Sequence, residues 1–362
     1  MTESQANEID QYDYDLPPEL IAQSPMSNRA DARLMLVDRS TGSIDHYHIR
    51  DLPELLSAGD TLVMNNSRVI PARLVGYRSE TGGRWQGLFL RSDDETGLWE
   101  ILTKTRGKLQ AGETITVRDR DARDGMLLTV VTRTDDGKLL VKPSTPEDME
   151  ETFASPADWL HRFGRVPIPP YIRDGQMVDA DVVDYQTVYA KSDGSVAAPT
   201  AGLHFTKSLL EKVRAAGVGT AEVTLHVGIG TFRPIATERL DEHQMHSEWG
   251  QIDEPTVQEI TTRRTRGRTI AVGTTSVRVL ESAAAAGGGV LKPWTGETNL
   301  FIQPGFKFNA IDGLLTNFHL PKSSLLVLIS ALAGRELALK AYRVAIENEY
   351  RFYSYGDAML IV

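Results

Sequence analysis

The chain contains no cysteine. Disulfides, thiolate nucleophiles and cysteine-bound metals are therefore excluded, and the composition fits a reducing cytosol. No apolar run is long. The longest, Leu325 to Ala333, is too short for a bilayer and reads as a buried helix. The opening MTESQANEIDQYDYD is acidic and polar, and it reads as neither a secretory signal nor a transit peptide. Positive charge is also short, with 39 Lys and Arg against 49 Asp and Glu for a net charge of -10. That balance argues mildly against a nucleic-acid partner, although phosphate binding depends on where basic residues sit. The densest basic runs are Arg263, Arg264, Arg266 and Arg268, and then Lys104, Arg106 and Lys108. Each taken alone reads first as solvated surface.

What is present is an ordinary globular composition, 41% apolar and 24% charged over 362 residues, enough to bury a core in one or two domains. Residues 33 to 48 read as a hairpin turning at Ser40-Thr41-Gly42. From about 72 to 151 short β-rich runs alternate with turn clusters such as Asp124-Gly125 and Asp135-Asp136-Gly137. This texture predicts a small antiparallel β-barrel or sandwich inserted as a separate domain. Around it, over 1–71 and 152–362, helices and strands alternate, which predicts a layered α/β domain that is discontinuous in sequence. Expected elements include a helix opened by Ser155-Pro156 and closed by Gly164, a helix capped by Thr206, and a strand over Leu300 to Gln303.

Several segments could carry chemistry. Val272-Gly273-Thr274-Thr275-Ser276-Val277-Arg278 joins a buried strand to a helix. Free amides and hydroxyls at such a start suit an anion, with Arg278 near enough to assist; a plain strand-helix junction is the alternative. Leu225 to Phe232 holds a Gly-x-Gly turn but lacks the third glycine, and Pro234 blocks the following helix. A dinucleotide-binding fold, and with it the usual methyltransferase layout, is thereby rejected. His243-Gln244-Met245-His246-Ser247-Glu248 gathers two imidazoles and a carboxylate. With His226 or His204 added it could be read as a metal site, but proton transfer near neutral pH is the preferred reading. The loop Ser195 to Phe205, the strand end Thr316 to Pro321 and the aromatic run Tyr350 to Asp357 could face a site, or could equally be packed structure. The residues alone lead to an α/β enzyme with an anion-binding turn and acid-base histidines.

At these segments the chain resembles the S-adenosylmethionine:tRNA ribosyltransferase-isomerase family of queuosine biosynthesis, from Tyr14 almost to the C-terminus. The markers are NNSRVIPARL, PPYI, YQTVYA, SVAAPTAGLHFT, VTLHVGIGTFRP, HQMHSE, VGTTSVRVLES, TNLFIQPG, LLTNFHLPKSSLL and YRFYSYGDAMLI. Gln86 stands where the family pattern suggests glutamate, and Val182, Val183 and Asp184 stand where it tends to carry arginine.

The resemblance implies an α/β domain interrupted by a β-barrel. It also implies transfer and isomerisation of the ribosyl unit of S-adenosylmethionine onto 7-aminomethyl-7-deazaguanine at the tRNA wobble position. The product would be epoxyqueuosine, with adenine and methionine released. S-adenosylmethionine is consumed, so no cofactor and no metal are implied, and a cytoplasmic monomer acting on the tRNA anticodon stem-loop is expected. For the proton transfers the candidates are His204, His226, His243 and His246, with Glu248 orienting one of them. Gly273, Thr274, Thr275, Ser276 and Arg278 are assigned to the methionine carboxylate or another substrate anion. Asn317, His319, Arg351 and Asp357 are candidates for holding nucleoside or base. The barrel and the Arg263 to Arg268 run are the candidate tRNA-gripping surfaces. Two rivals are an S-adenosylmethionine-dependent tRNA methyltransferase and a non-catalytic tRNA-binding protein.

Overall fold

The computed structural model describes residues 7–147, 149–228 and 235–362. Pro234 and most of the expected Gly-x-Gly turn lie outside the described residues. The chain divides into two compact units. One holds the described residues up to Arg68, Pro169–Gln176 and Val182–Val362; the other holds Val69–Ile168 and Met177–Asp181.

The first unit is built on a sheet of nine strands. Their spatial order is Trp294–Thr298, Glu248–Ile252, Gly219–Leu225, Thr61–Asn65, Thr269–Val272, Gly313–Asn317, Ala358–Ile361, Arg33–Val37, Ile44–His48. The four from Gly219–Leu225 to Gly313–Asn317 are parallel. Antiparallel strands join on both sides of them. Every residue of Thr61–Asn65 is buried, as a strand covered on both faces requires. Because side chains alternate along a strand, Val63 enters one core while Leu62 and Met64 enter the other. The helix Lys207–Ala215 covers the Met64 side through Leu209, Leu210 and Val213. Helices Glu254–Arg264, Thr274–Ala286, Ser324–Ala333 and Arg335–Glu347 supply Ile260, Leu280, Ile329 and Tyr342 to the other side. Each such side chain stabilises the fold by roughly 1.5–3 kcal/mol.

Helix starts follow local capping chemistry. Thr206 accepts from Leu209 N at 3.1 Å, Asp253 from Thr256 N at 2.9 Å, and Ser323 from Leu326 N at 3.2 Å. In contrast, Thr274–Ala286 begins at Gly273, which offers no side-chain cap.

Winding fixes where a site can form. The chain lays down Thr61–Asn65, then Gly219–Leu225 on one side of it, then Thr269–Val272 on the other. Direction reverses between Thr61–Asn65 and Thr269–Val272, and crevices open outside the carboxyl ends of strands at such a switch point.

The second unit is a closed antiparallel barrel of six strands: Leu139–Ser144, Trp99–Thr105, Arg84–Ser92, Arg73–Arg78, Thr114–Arg118 and Asp124–Arg133. These strands fall in the stretch whose alternating β-rich runs and turn clusters predict a barrel or sandwich. The unit extends past the expected boundary at 151 and includes the helix Pro156–Phe163. The Ser155–Asp158 capping box and Pro156 start this helix as expected. Its membership is decided by packing: Trp159 meets Trp99 edge-on at 6.5 Å, and Arg162 pairs with the buried Asp119 at 2.8 Å.

The expected strand over Leu300 to Gln303 is a loop, and the neighbouring Trp294–Thr298 is the strand instead. Pairing with Glu248–Ile252 at the sheet's end outweighs the apolar run's own preference, while Ile302 goes into the core.

Candidate active site

A cleft opens at the carboxyl edge of the parallel strands. Its floor is the turn after Thr269–Val272. Gly273 has φ +84° there, and a Cβ would meet nothing closer than 3.5 Å, so backbone conformation rather than space demands glycine. The turn is tied to the next strand by Gly273 N donating to Leu315 O at 2.8 Å. Thr274 and Thr275 line the cleft, and the buried Thr275 Oγ1 has no partner among the described residues.

The other two members of the expected anion set face elsewhere. Ser276 Oγ donates back to Val272 O at 2.8 Å. Arg278 is buried, where its guanidinium bonds the Glu248 carboxylate and also donates to Thr298 O at 3.0 Å. That ion pair clamps the helix to the two antiparallel end strands, so Arg278 does not line the cleft. Glu248 Oε1 also accepts from Gly228 N at 2.7 Å. It therefore fixes the backbone two residues after His226.

One wall comes from Gly313–Asn317 and the loop after it. Asn317 is buried; its Oδ1 accepts from Thr200 Oγ1 at 3.0 Å, which orients the amide so that Nδ2 donates to His204 Nε2 at 3.1 Å. This makes Nε2 of His204 the unprotonated nitrogen. Burial pushes the His204 imidazole down to about 4, with Arg29 and Arg351 adding to the effect. His204 is not a cleft-lining residue and reaches the cleft through Asn317. His319 does line it, with Nε2 2.8 Å from Thr316 Oγ1, and burial pushes this ring down to about 3.

Tyr171 and Tyr353 also line the cleft, with ring centroids 4.7 Å apart and planes tilted by 47°. Tyr171 OH lies 2.8 Å from Ser354 Oγ. Tyr353 holds φ +68°, a conformation costing roughly 1–3 kcal/mol for a side-chain-bearing residue. Its backbone is held there by N–H donation to Phe318 O at 3.1 Å and by Gly356 N donating to its carbonyl at 2.9 Å.

Asp357 is a structural clamp. Its carboxylate accepts from Arg33 N and Arg351 N, each at 2.8 Å, and pairs with the Arg33 guanidinium at 3.4 Å. Arg351 itself donates to Ser24 O. Neither is a cleft-lining residue.

Beyond the end of Gly219–Leu225 lies His226. Its ring stacks on Trp249 at 5.1 Å with 18° between planes. On its other side Gly194, at φ +142°, leaves room: a Cβ there would sit 2.9 Å from the ring. Nδ1 lies 2.9 Å from Ser67 Oγ, which lies 2.7 Å from Ser195 Oγ, which accepts from Val227 N at 2.8 Å. Ser67 and Ser195 are fully buried, so each hydroxyl hydrogen needs a partner. One direction satisfies both: Ser195 donates to Ser67, and Ser67 donates to Nδ1. The reverse direction leaves the Ser195 hydrogen without an acceptor among the described residues. His226 is thus set as the tautomer with its proton on Nε2. Burial lowers its pKa, with Asp193 opposing.

His243 packs edge-on against Phe301 at 5.2 Å, and burial and then His246 lower its pKa; His246 is exposed. Both precede Glu248–Ile252, whose start lies at this same carboxyl edge because the strand runs antiparallel to Gly219–Leu225. Among the described residues no three His, Asp or Glu side chains gather as metal ligands. The GTTSVR, HQMHSE and TNFHLP segments therefore share one edge of one sheet. Sequence reasoning did not single out Tyr171, Ser67 or Ser195 as site residues, although each stands in a quoted motif.

The chain matches the family model described as "Queuosine biosynthesis protein" over residues 9–361. A relative from Symbiobacterium thermophilum named S-adenosylmethionine:tRNA ribosyltransferase-isomerase is 48% identical over 356 residues, covering 98% of this chain and 99% of that one. A relative of the same name from Desulfitobacterium hafniense is 46% identical over 355 residues, with 98% and 99% covered. Among solved structures, the S-adenosylmethionine tRNA ribosyltransferase of Thermotoga maritima is 35% identical with a TM-score of 0.53, covering 97% of this chain and 100% of that one.

Proposed function

Because the chain belongs to the queuosine biosynthesis protein family, we propose that it is an S-adenosylmethionine:tRNA ribosyltransferase-isomerase. In this reading it moves and rearranges the ribosyl unit of S-adenosylmethionine onto 7-aminomethyl-7-deazaguanine at the tRNA wobble position. Epoxyqueuosine forms, and adenine and methionine leave. The observation that carries the reading is the nearly full-length match to enzymes of that name.

The chemistry sets demands that the carboxyl edge can meet. A sulfonium acidifies the adjoining ribose 5′ hydrogens, so a base must take one proton. Adenine needs a proton as it departs, and the aminomethyl nitrogen must attack as the free amine. Groups that exchange protons near working pH serve these steps. Buried imidazoles held neutral can accept a proton, and His226 also presents an oriented Nε2–H. We assign proton transfer to His226, His243 and His246. His204 is a positioning residue acting through Asn317, and Glu248 positions the His226 segment through Gly228 N.

The test is to mix protein, S-adenosylmethionine and tRNA bearing the precursor base, and then assay free adenine and methionine. Both are expected only when that base is present. S-adenosylhomocysteine in place of adenine would make the protein a methyltransferase, and intact S-adenosylmethionine beside salt-sensitive tRNA binding would make it a binding protein.

A further inference from the structure

On the barrel unit the arginines divide by what holds them. Within the turn from Arg118 to Asp124, Arg118 pairs with Asp124 at 2.9 Å and Arg123 with Asp121 at 3.1 Å. The buried Asp119 is taken by Arg162 at 2.8 Å. Every acid of the turn is thus committed. Arg120 and Arg165 are fastened instead to neutral backbone. Arg120 Nε donates to Gly164 O at 3.1 Å, and the Arg165 guanidinium donates to Arg118 O at 3.1 Å and to Asp119 O at 2.7 Å. Among the described residues neither has a carboxylate at ion-pair distance.

The fold also sets like charge against like charge. Arg73 and Arg165 exchange backbone hydrogen bonds as an antiparallel pair, Arg165 N to Arg73 O at 2.8 Å and Arg73 N to Arg165 O at 3.1 Å. Residues opposed in this way project to one face, where like charges repel. Gly164 makes the approach possible, because a Cβ there would sit 1.8 Å from Pro71 O. Burial and then the Arg73 charge lower the Arg165 pKa; Asp119 opposes them and Arg120 adds to the fall. The guanidiniums nevertheless stay charged at working pH. In a chain of net charge -10, positive charge gathered against its own repulsion is stabilised by an anion from outside.

The class of anion follows from the donors. A guanidinium has more N–H groups than these bonds occupy, and its planar fork matches phosphate oxygens. Several such groups on one face suit a polyanion whose charges repeat, and contacts of this kind grip a backbone without reading its bases. We propose that Arg120 and Arg165, with Arg73 beside them, are a docking face for the sugar-phosphate backbone of the tRNA. This rests on the reading of the protein as an enzyme acting on tRNA.

Affinity for tRNA measured against salt concentration tests the face on the full chain. Arg120 is exposed, so Arg120→Gln should fold. It should weaken tRNA about 10-fold and reduce the slope of log affinity against log salt by about 1, the signature of one lost phosphate contact. Gln86 Oε1 accepts from Arg73 at 3.0 Å. Gln86→Glu, of the same shape, therefore sets a carboxylate beside the cluster and should weaken tRNA several-fold. Arg91→Gln removes the same charge from an arginine already paired with Glu100 at 2.7 Å, and should change neither affinity nor slope. S-adenosylmethionine affinity should hold in all three, which separates docking from misfolding. An unaltered slope in Arg120→Gln, or an equal fall in Arg91→Gln, would overturn the face. So would displacement of tRNA by poly-glutamate as readily as by unrelated RNA. Docking through these arginines without adenine release would sink the reaction and leave the face standing. Adenine release with a slope indifferent to them would do the reverse.

Discussion

The two edges of the central sheet handle charge in opposite ways. At the amino edge of the parallel strands, Asp60 is buried against Arg268, accepting from its guanidinium at 2.6 Å and its backbone N–H at 2.8 Å. Burial alone would raise the Asp60 carboxyl, but Arg268 and the N–H of Ser57 hold it below its ordinary range. Nearby Asp312 accepts from Thr269 N at 2.8 Å and pairs with Arg264 at 3.1 Å, and Arg263 pairs with Glu259 at 2.8 Å. At the carboxyl edge the cleft walls carry no charged side chain among the described residues, and the helix start is left open. The amino edge fixes its strands and helices with ion pairs, whereas at the carboxyl edge the Glu248–Arg278 and Asp357–Arg33 pairs lie outside the cleft lining. The run Arg263 to Arg268, a candidate tRNA surface by sequence, sits at the amino edge, with three of its four arginines tied to acidic neighbours.

The strongest way to break this contrast is at His226. His226→Ala removes a positioned proton-transfer group and should lower turnover roughly a hundredfold to ten-thousandfold. The folded protein should still bind S-adenosylmethionine. Single-turnover adenine release is the measurement, and near-normal turnover would remove His226 from the mechanism.

Asp60→Ala probes the other edge. It strands the Arg268 guanidinium and leaves backbone N–H groups of Ser57 and Arg268 unpaired. Because Arg268 is 34% exposed, the loss should fall at the lower end for a broken buried pair, about 3 kcal/mol. The denaturant midpoint should drop, while S-adenosylmethionine affinity per folded molecule stays unchanged. A loss of affinity without a loss of stability would mean the edges are not functionally separate.

Much of the fold could be read in advance because its causes are local. Turn clusters delimit the barrel strands, and Ser155 and Thr206 start helices by bonding amides three residues on. Contacts made across long stretches of chain were not legible. Nothing near Ser67 announces that its hydroxyl meets Ser195, 128 residues away. Glu248 and Arg278 read as site groups, yet they satisfy each other 30 residues apart. The motif that contained Gly273, Thr274 and Thr275 did mark the cleft floor, since an uncapped helix start is visible as Gly-Thr-Thr after a buried strand.

A pH series sharpens the comparison from the carboxyl edge. The ordinary histidine pKa is 6.5 and His204 sits at about 4, so below pH 6.5 the unfolded chain takes up a proton that the folded chain refuses. Stability is full above pH 6.5 and declines as pH falls toward 4. By pH 5 the His204 contribution lost is about 2 kcal/mol, and His319 acts in the same direction. The Asp60 pair does not titrate in this window, because its depressed carboxyl loses its stabilising effect only at lower pH. Unfolding midpoints measured from pH 7.5 to 5 should fall, and a flat profile would show that the buried rings are not held neutral.

The smallest expected effect tests the hydrogen-bond direction at His226. Ser67→Ala removes the donor to Nδ1 and leaves the Ser195 hydroxyl hydrogen without an acceptor, while Trp249 and Gly194 still confine the ring. About 1 kcal/mol of stability should be lost, and turnover should fall about 5- to 10-fold with little change in KM. A packing role alone would produce the stability loss without the spectroscopic change. Imidazole ¹⁵N shifts should show a proton fixed on Nε2 in the native protein and a mixture of tautomers in Ser67→Ala. A native spectrum with the proton on Nδ1 would reverse the chain of donors, and His226 would then present an acceptor, not a donor, at this edge.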